Sequence, residues 1–240
     1  MIARGRTDTY RLYLQLLNMY GRQNWWPART KFEIVVGAIL TQQTSWRNVE
    51  LAIRNLKRRK LLTMERLAKA SEKTLQACTY PTGFYKQKAR RIRNVAYQLL
   101  RKTGGNLSRI LEKPLEKSRE ALLGLDGIGK ETGDSILLYA GNRLILPVDF
   151  YTFRIIGRAQ GRKGTYDSMQ SYLQAMLPRK LNVYQEFHAL VVKHAKTTCL
   201  NSSPKCANCF VNPCIYRLEH CLSLPIDGYK ELSNGDRFVK

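Results

Sequence analysis

The chain has 240 residues, 44% of them hydrophobic, which is enough to bury a core as one large domain or two small ones. Its 41 Lys and Arg against 18 Asp and Glu leave a formal charge of +23, an excess that favours polyanionic partners through counterion release. No stretch reaches the apolar length of a membrane span and MIARGRTDTY lacks the apolar core of a signal peptide, so an intracellular protein without membrane contact is expected.

Residues 7–20 place Tyr10, Tyr13, Leu14, Leu17 and Met19 at helical spacing, with Asp8 or Thr9 to cap the helix and Gly21 to end it. After Trp25-Trp26-Pro27, residues 32–40 are an almost unbroken apolar run. Its length would suit a strand, but Thr30 as cap and Glu33 as capping-box partner favour a buried helix. That run gives out at the polar patch Thr41-Gln42-Gln43-Thr44-Ser45-Trp46. Residues 49–62 predict an amphipathic helix with a basic end, and residues 63–78 another, capped around Ser71. Residues 80–85 are a turn with exposed aromatics. Over residues 86–101, Ala89, Ile92, Ala96 and Leu99 form an apolar stripe with the basic residues elsewhere. Residues 86–119 hold eleven Lys or Arg against two Glu, a single-sign surface that repels itself unless a polyanion supplies the counter-charge.

Residues 118–125 are again helical, then come Asp126-Gly127-Ile128-Gly129-Lys130, and residues 131–141 resume a helical pattern through Ile136, Leu137 and Tyr139. The pattern is helix, tight hairpin, helix. Gly127 and Gly129 allow turn conformations closed to other residues and leave no side chain between the amides and an approaching anion. The second helix starts with free N–H groups pointing outward, and Lys130 adds a positive charge at that mouth. Eighteen residues after Glu131, Asp149 follows Leu146-Pro147-Val148, where an apolar run breaks. Residues 152–160, 166–178 and 183–196 read as further helices. His188 and His194 on the last are expected to be core or surface imidazoles. Cys199, Cys206, Cys209 and Cys214 have the spacing C-x6-C-x2-C-x4-C, which can close on a zinc ion or a 4Fe-4S cube. Residues 222–240 offer little apolar surface and read as an irregular tail.

The hairpin LDGIGK, the segment PVD at its distance and the cysteine spacing resemble the helix-hairpin-helix, Gly/Pro-Asp superfamily of DNA glycosylases, the endonuclease III relatives, from about Trp25 to Cys214. GIGKETGDSILLYA with WWPARTKFEIVVGAILTQQTSW is most similar to the 3-methyladenine branch. The resemblance implies an all-α, two-lobed fold: a six-helix barrel domain over residues 31–142 with the hairpin at its end, and a cluster domain from residues 1–30 and 143–221. It implies a monomer acting on double-stranded DNA with a damaged base. Asp149 would be the catalytic carboxylate at a helix N-terminus, braced by Arg154. Gln43 would fill the space left by an extruded base, Gly127, Gly129 and Lys130 would hold DNA, and Trp25, Trp26 and Trp46 would offer ring faces to the base. A 4Fe-4S cluster is implied over zinc, although the last cysteine gap is one residue shorter than the family's and Cys221 lies nearby. The cluster would fold a basic loop containing Lys196 and Lys205. Members that also nick the strand carry a lysine where this chain has Glu131, so a monofunctional enzyme is expected. A glycosylase for a neutral lesion, or a DNA-binding protein without catalysis, stay open beside it.

Overall fold

A computed structural model describes residues 8–220; Cys221 and the tail at 222–240 lie outside the described residues, among which there are helices and loops but no strand. The first helix, α1 (Thr9–Tyr20), starts on Asp8, whose carboxylate accepts from Arg11 N at 2.7 Å, and ends at Gly21 with φ 65°. Its buried face is Leu12, Tyr13 and Leu16, while Tyr10 and Leu14 are exposed, so the inward stripe lies to one side of the one expected from spacing. In α2 (Lys31–Leu40) every residue from Phe32 onward is buried. Thr30 caps it through Glu33 N, but the Glu33 carboxylate turns to Arg29 N and to Lys57, so the expected capping box is replaced by an ion pair of 2.6 Å with α3 (Trp46–Arg58). The helix expected over 63–78 is two, α4 (Met64–Lys69) and α5 (Glu72–Thr79). Ala70 takes an extended conformation and the Ser71 hydroxyl accepts from Thr74 N, restarting the helix.

A 3-10 turn at Tyr80–Thr82 leads to α6 (Tyr85–Thr103), which buries Ala89, Ile92, Val95, Ala96 and Leu99. The basic residues do not all lie elsewhere: Lys88 is buried, and its Nζ donates to Thr82 O at 2.7 Å. Burial, then the charge of Arg91, pushes its ammonium down to about 8. The hairpin helices are α8 (Leu115–Leu123) and α9 (Lys130–Tyr139), after the four-residue α7 (Ser108–Leu111); beyond them come α10 (Phe150–Gln160), α11 (Tyr166–Met176), α12 (Leu181–Thr197) and α13 (Ile215–His220). Both α7 and α13 are too short to show periodicity, and neither was expected. One hydrophobic core runs from Leu12 to Val211. Within it α2 packs on α3, α6 and α9, whereas α1 and α10 pack on α12.

A buried carboxylate links the hairpin to the segment that follows it. Asp134 on α9 is fully buried and takes two bonds from Arg119 of α8, at 2.7 and 3.0 Å. It also accepts from Tyr166 Oη at 2.8 Å and Gln170 Nε2 at 2.7 Å, both on α11. Gln170 Nε2 donates in addition to Leu146 O, and Tyr166 Oη accepts from Val148 N. The strap of residues 146–148 is therefore bound to the same hub as the two hairpin helices, which places Asp149. Removing one partner of such a pair leaves a buried charge uncompensated. Arg119→Leu is expected to lower stability by about 3 kcal/mol, read as a fall in urea midpoint, with Lys117→Leu on the exposed face of α8 nearly neutral.

Candidate active site and DNA interface

The hairpin is anchored by Leu125 and Ile128, both buried, with Ile128 N bonded to Leu125 O. The two glycines differ. Gly127 has φ 96°, and a Cβ there would sit 2.6 Å from Arg91 Cγ. Gly129 has φ −90° and ψ 177°, extended backbone open to any residue, with nothing within 4 Å of a Cβ. The expectation that both glycines serve turn geometry is thus corrected: Gly127 does, while Gly129 leaves open space over the N-terminus of α9, whose first N–H groups no side chain caps. Lys130 does not present a free charge there. Its ammonium pairs with Asp167 at 2.6 Å, both side chains being largely exposed.

Beside the hairpin, the loop after α2 divides its glutamines. Gln42 donates to Thr132 on α9 at 3.1 Å and accepts from Arg91, tying loop to hairpin. Gln43 is exposed and held at φ 53°, a left-handed conformation that non-glycine residues adopt at a cost of about 1 kcal/mol. Phe84, at φ 45° and 64% exposed, repeats that combination at the start of α6.

Asp149 is the N-cap of α10. Its Oδ1 accepts from Thr152 N at 2.6 Å and from Thr152 Oγ1 at 2.7 Å, and the residue is 7% exposed. Oδ2 is left free of those bonds, 3.8 Å from His188 Nε2. Glu131, on the first turn of α9, faces the same place. Loss of hydration, then the negative charge of Asp149, pushes its carboxyl up to about 7, while solvent reaching it from the open side moderates that rise. Tyr151 feels both carboxylates, and Lys196 Nζ lies 5.3 Å above its ring. Arg154 packs over the rings of Phe150 and Tyr151 and donates to Ala195 O at 2.7 Å, which fastens α10 to α12.

The three tryptophans form one cluster. Trp25 and Trp46 have centroids 4.4 Å apart, Trp26 stands edge-on to Trp46 at 5.5 Å, and Trp26 meets Tyr139 at 5.4 Å. Gly37 makes this possible, because a Cβ there would lie 3.1 Å from the Trp26 indole. Trp46 Nε1 donates to Glu50, and Trp26, Trp46, Glu33 and Glu50 border a cavity of about 280 Å³. Each indole is half-buried.

Cys199, Cys206, Cys209 and Cys214 line a single cavity with His194 and Arg158. Arg158 donates to Cys199 Sγ at 3.3 Å and to the carbonyls of Leu200 and Asn201. Burial pushes the Cys209 thiol up to about 11 and raises Cys214. Among the described residues no three His, Cys, Asp or Glu are grouped to hold one metal ion. A 4Fe-4S cube makes a different demand, one thiolate per iron around a shared cavity, and four cysteines with an N–H donor to sulfur fit it.

His188, expected to be a core or surface imidazole, is a buried one, and it lies between Asp149, whose Oδ2 is 3.8 Å from Nε2, and Tyr139, whose Oη is 2.8 Å from Nδ1. The three residues sit on different helices, and no local pattern in the sequence connects them.

Fold and site together define an all-helical protein with a helix-hairpin-helix and a buried aspartate at the N-terminus of α10. A family profile described as HhH-GPD superfamily base excision DNA repair protein matches residues 36–179. A provisional DNA repair glycosylase of Methanocaldococcus jannaschii is 43% identical over 89% of this chain and 96% of its own. The structure of H. pylori 3-methyladenine DNA glycosylase bound to 1,N6-ethenoadenine superposes with TM-score 0.71 at 26% identity, covering 81% of this chain and 100% of that one. A trapped endonuclease III–DNA covalent intermediate gives 0.74 at 19% identity, covering 86% and 94%. The chain belongs to the HhH-GPD superfamily of base excision DNA repair proteins and is a DNA glycosylase of that family.

The two hairpin glycines should separate in a folding assay. Gly127→Ala is expected to lose about 1–2 kcal/mol through its positive φ and the Arg91 contact, and Gly129→Ala less than about 0.5 kcal/mol, both measured by urea denaturation.

Proposed function

We propose that the chain is a monofunctional glycosylase that hydrolyses the N-glycosidic bond of alkylated purines of the 3-methyladenine type in double-stranded DNA, leaving an abasic site. The observation that carries the reading is Asp149, buried at the N-terminus of α10 with Oδ1 held by Thr152 and Oδ2 left outside those bonds, close enough to Glu131 on the first turn of α9 for its charge to bear on that carboxyl. Cleavage builds positive charge on the sugar, and the free Oδ2 of Asp149 stabilises that charge and takes a proton from the attacking water. Glu131 stands where a Schiff-base amine would be needed for strand nicking, and a carboxylate cannot form one.

The hairpin amides around Gly127 and Gly129 receive a phosphate, with Lys130 near it once released from Asp167, and Gln43 enters the helix in place of the extruded nucleotide. The indoles of Trp25, Trp26 and Trp46 take the base. An alkylated purine carries its positive charge over a flat ring, so cation–π attraction of about 0.5–2 kcal/mol selects it over a neutral base without a strong general acid. Glu131 adds to that preference when ionised. Its carboxyl, pushed up to about 7, is partly neutral at physiological pH, which favours the second reading, a neutral lesion in the same pocket.

Incubation with alkylated DNA, and with oligonucleotides carrying uracil, hypoxanthine or 8-oxoguanine, should release methylated purines and leave an intact strand. Asp149→Asn should lose at least about 100-fold in rate while still binding DNA. Release of a different base would replace the substrate, and borohydride trapping of the wild-type protein would overturn the monofunctional assignment.

Cys199, Cys206, Cys209 and Cys214 would hold a 4Fe-4S cluster, which when bound supplies cross-links between loop and helices in place of substrate chemistry. Anaerobically purified protein is expected to be coloured and to contain iron and acid-labile sulfide in stoichiometric amounts. Colourless protein with one zinc would make the site a zinc centre.

A further inference from the structure

His188 lies against the one oxygen of Asp149 that α10 does not use. Oδ1 takes both Thr152 bonds, and Oδ2 stands 3.8 Å from His188 Nε2. That is too long for a hydrogen bond and well within range of direct charge coupling. On the other side of the ring, Tyr139 Oη is 2.8 Å from Nδ1 and 3.1 Å from Gln185 O. A phenol has one hydrogen, which serves either Gln185 O or Nδ1. When it goes to Gln185 O, Nδ1–H donates to the phenol and Nε2 turns a lone pair toward the carboxylate, and this is the tautomer the proposal takes. Tyr139, Asp149 and His188 are each less than a tenth exposed, so the imidazole is buried between a carboxylate in front and a hydrogen-bonded phenol behind.

Resting on the proposed attack of water at Asp149, we propose that His188 is the positioning base that draws off the proton Asp149 receives. The water oxygen bonds to C1′, the C1′–N bond breaks, and its electron pair leaves with the base. One water proton passes to Asp149 Oδ2 and from there to His188 Nε2, which restores the carboxylate beside a new imidazolium; solvent takes that proton before the next turnover. A cationic purine becomes neutral on departure and needs no proton, so the protein must hold the one that water gives up. An approach of about 1 Å between Oδ2 and Nε2 brings the pair to hydrogen-bonding distance.

The charged and titratable neighbours act in both directions, burial opposing a charged ring and the Asp149 carboxylate favouring it. The imidazole ends below its ordinary value, so the resting ring is neutral. Glu131 on α9, Tyr151 and Arg154 on α10 and Lys196 on α12 bear on the Asp149 side, and Glu186 on α12 on the Tyr139 side.

Two measurements test it. The chain has three histidines, so 15N-histidine NMR can resolve His188. The Nδ1–H tautomer is expected in the wild type, with a titration midpoint that falls in Asp149→Asn; an Nε2–H tautomer would overturn the proposal. Single-turnover base release is then followed against pH. His188→Gln is expected to slow release about tenfold at neutral pH with unchanged DNA affinity, and to move the acid limb to lower pH, because one member of a shared proton site is gone. His188→Asn, if glutamine does not fold, should do the same. A uniformly slower rate with an unmoved limb would reduce His188 to packing. If Asp149→Asn still releases base, the site assignment itself falls along with the acceptor role. An inactive Asp149→Asn beside an unchanged His188→Gln profile would overturn the acceptor role alone.

Discussion

The fully buried carboxylate of Asp134 is the constraint on which the cleft depends. A charge without water around it must find donors on every side, and Arg119, Tyr166 and Gln170 supply four. Those donors come from α8 and α11, and two of them also hold the backbone of residues 146–148. The electrostatic need of one side chain therefore fixes the hairpin, the strap and α11 in a single arrangement. Apolar packing alone would leave the strap free to slide, because Leu146 and Val148 make contacts without direction.

Downstream of that hub, the site is built from helix ends. The N-terminus of α9 is left bare and can receive an anion, while that of α10 is occupied by the cap of Asp149. The two ends come together where the buried Asp149 lies within charge range of Glu131, whose side chain is open to solvent. Holding two carboxyl groups there opposes folding and is a reason to find function in the arrangement, since a structural role would be met by less charge. The aromatic cluster lies on the far side of Tyr139, which touches Trp26 on one side and His188 on the other. One phenol thus stands between the indole cluster and the imidazole beside Asp149.

What could be read in the sequence was local. The caps by Thr30, Ser71 and Asp149, and the stripe of α6, depend on residues three or four apart. The break at Ala70 between α4 and α5 is local too, but a serine restarting a helix looks the same as a serine inside one. The Asp134 hub was invisible because its partners are 15, 32 and 36 residues away. The reading of Gly129 as a turn residue failed because glycine in sequence does not report the sign of φ, and Lys130 looked free because Asp167 lies 37 residues on. Of the candidate site, the types of residue were legible through the family resemblance. Their convergence, above all the place of His188 against Asp149, belongs to the packing of α9, α10 and α12.

The pairing of Lys130 with Asp167 bears on how the protein finds its polymer. When a lysine surrounded by mobile salt meets a phosphate, a solution ion is set free and binding weakens steeply as salt is added. Lys130 instead carries a tethered anion, and a phosphate that takes its place frees a carboxylate that stays on the protein. If Lys130 meets a phosphate as proposed, the cations condensed on the polymer are still released and the salt dependence remains, while Asp167 acts as a built-in competitor for the same ammonium.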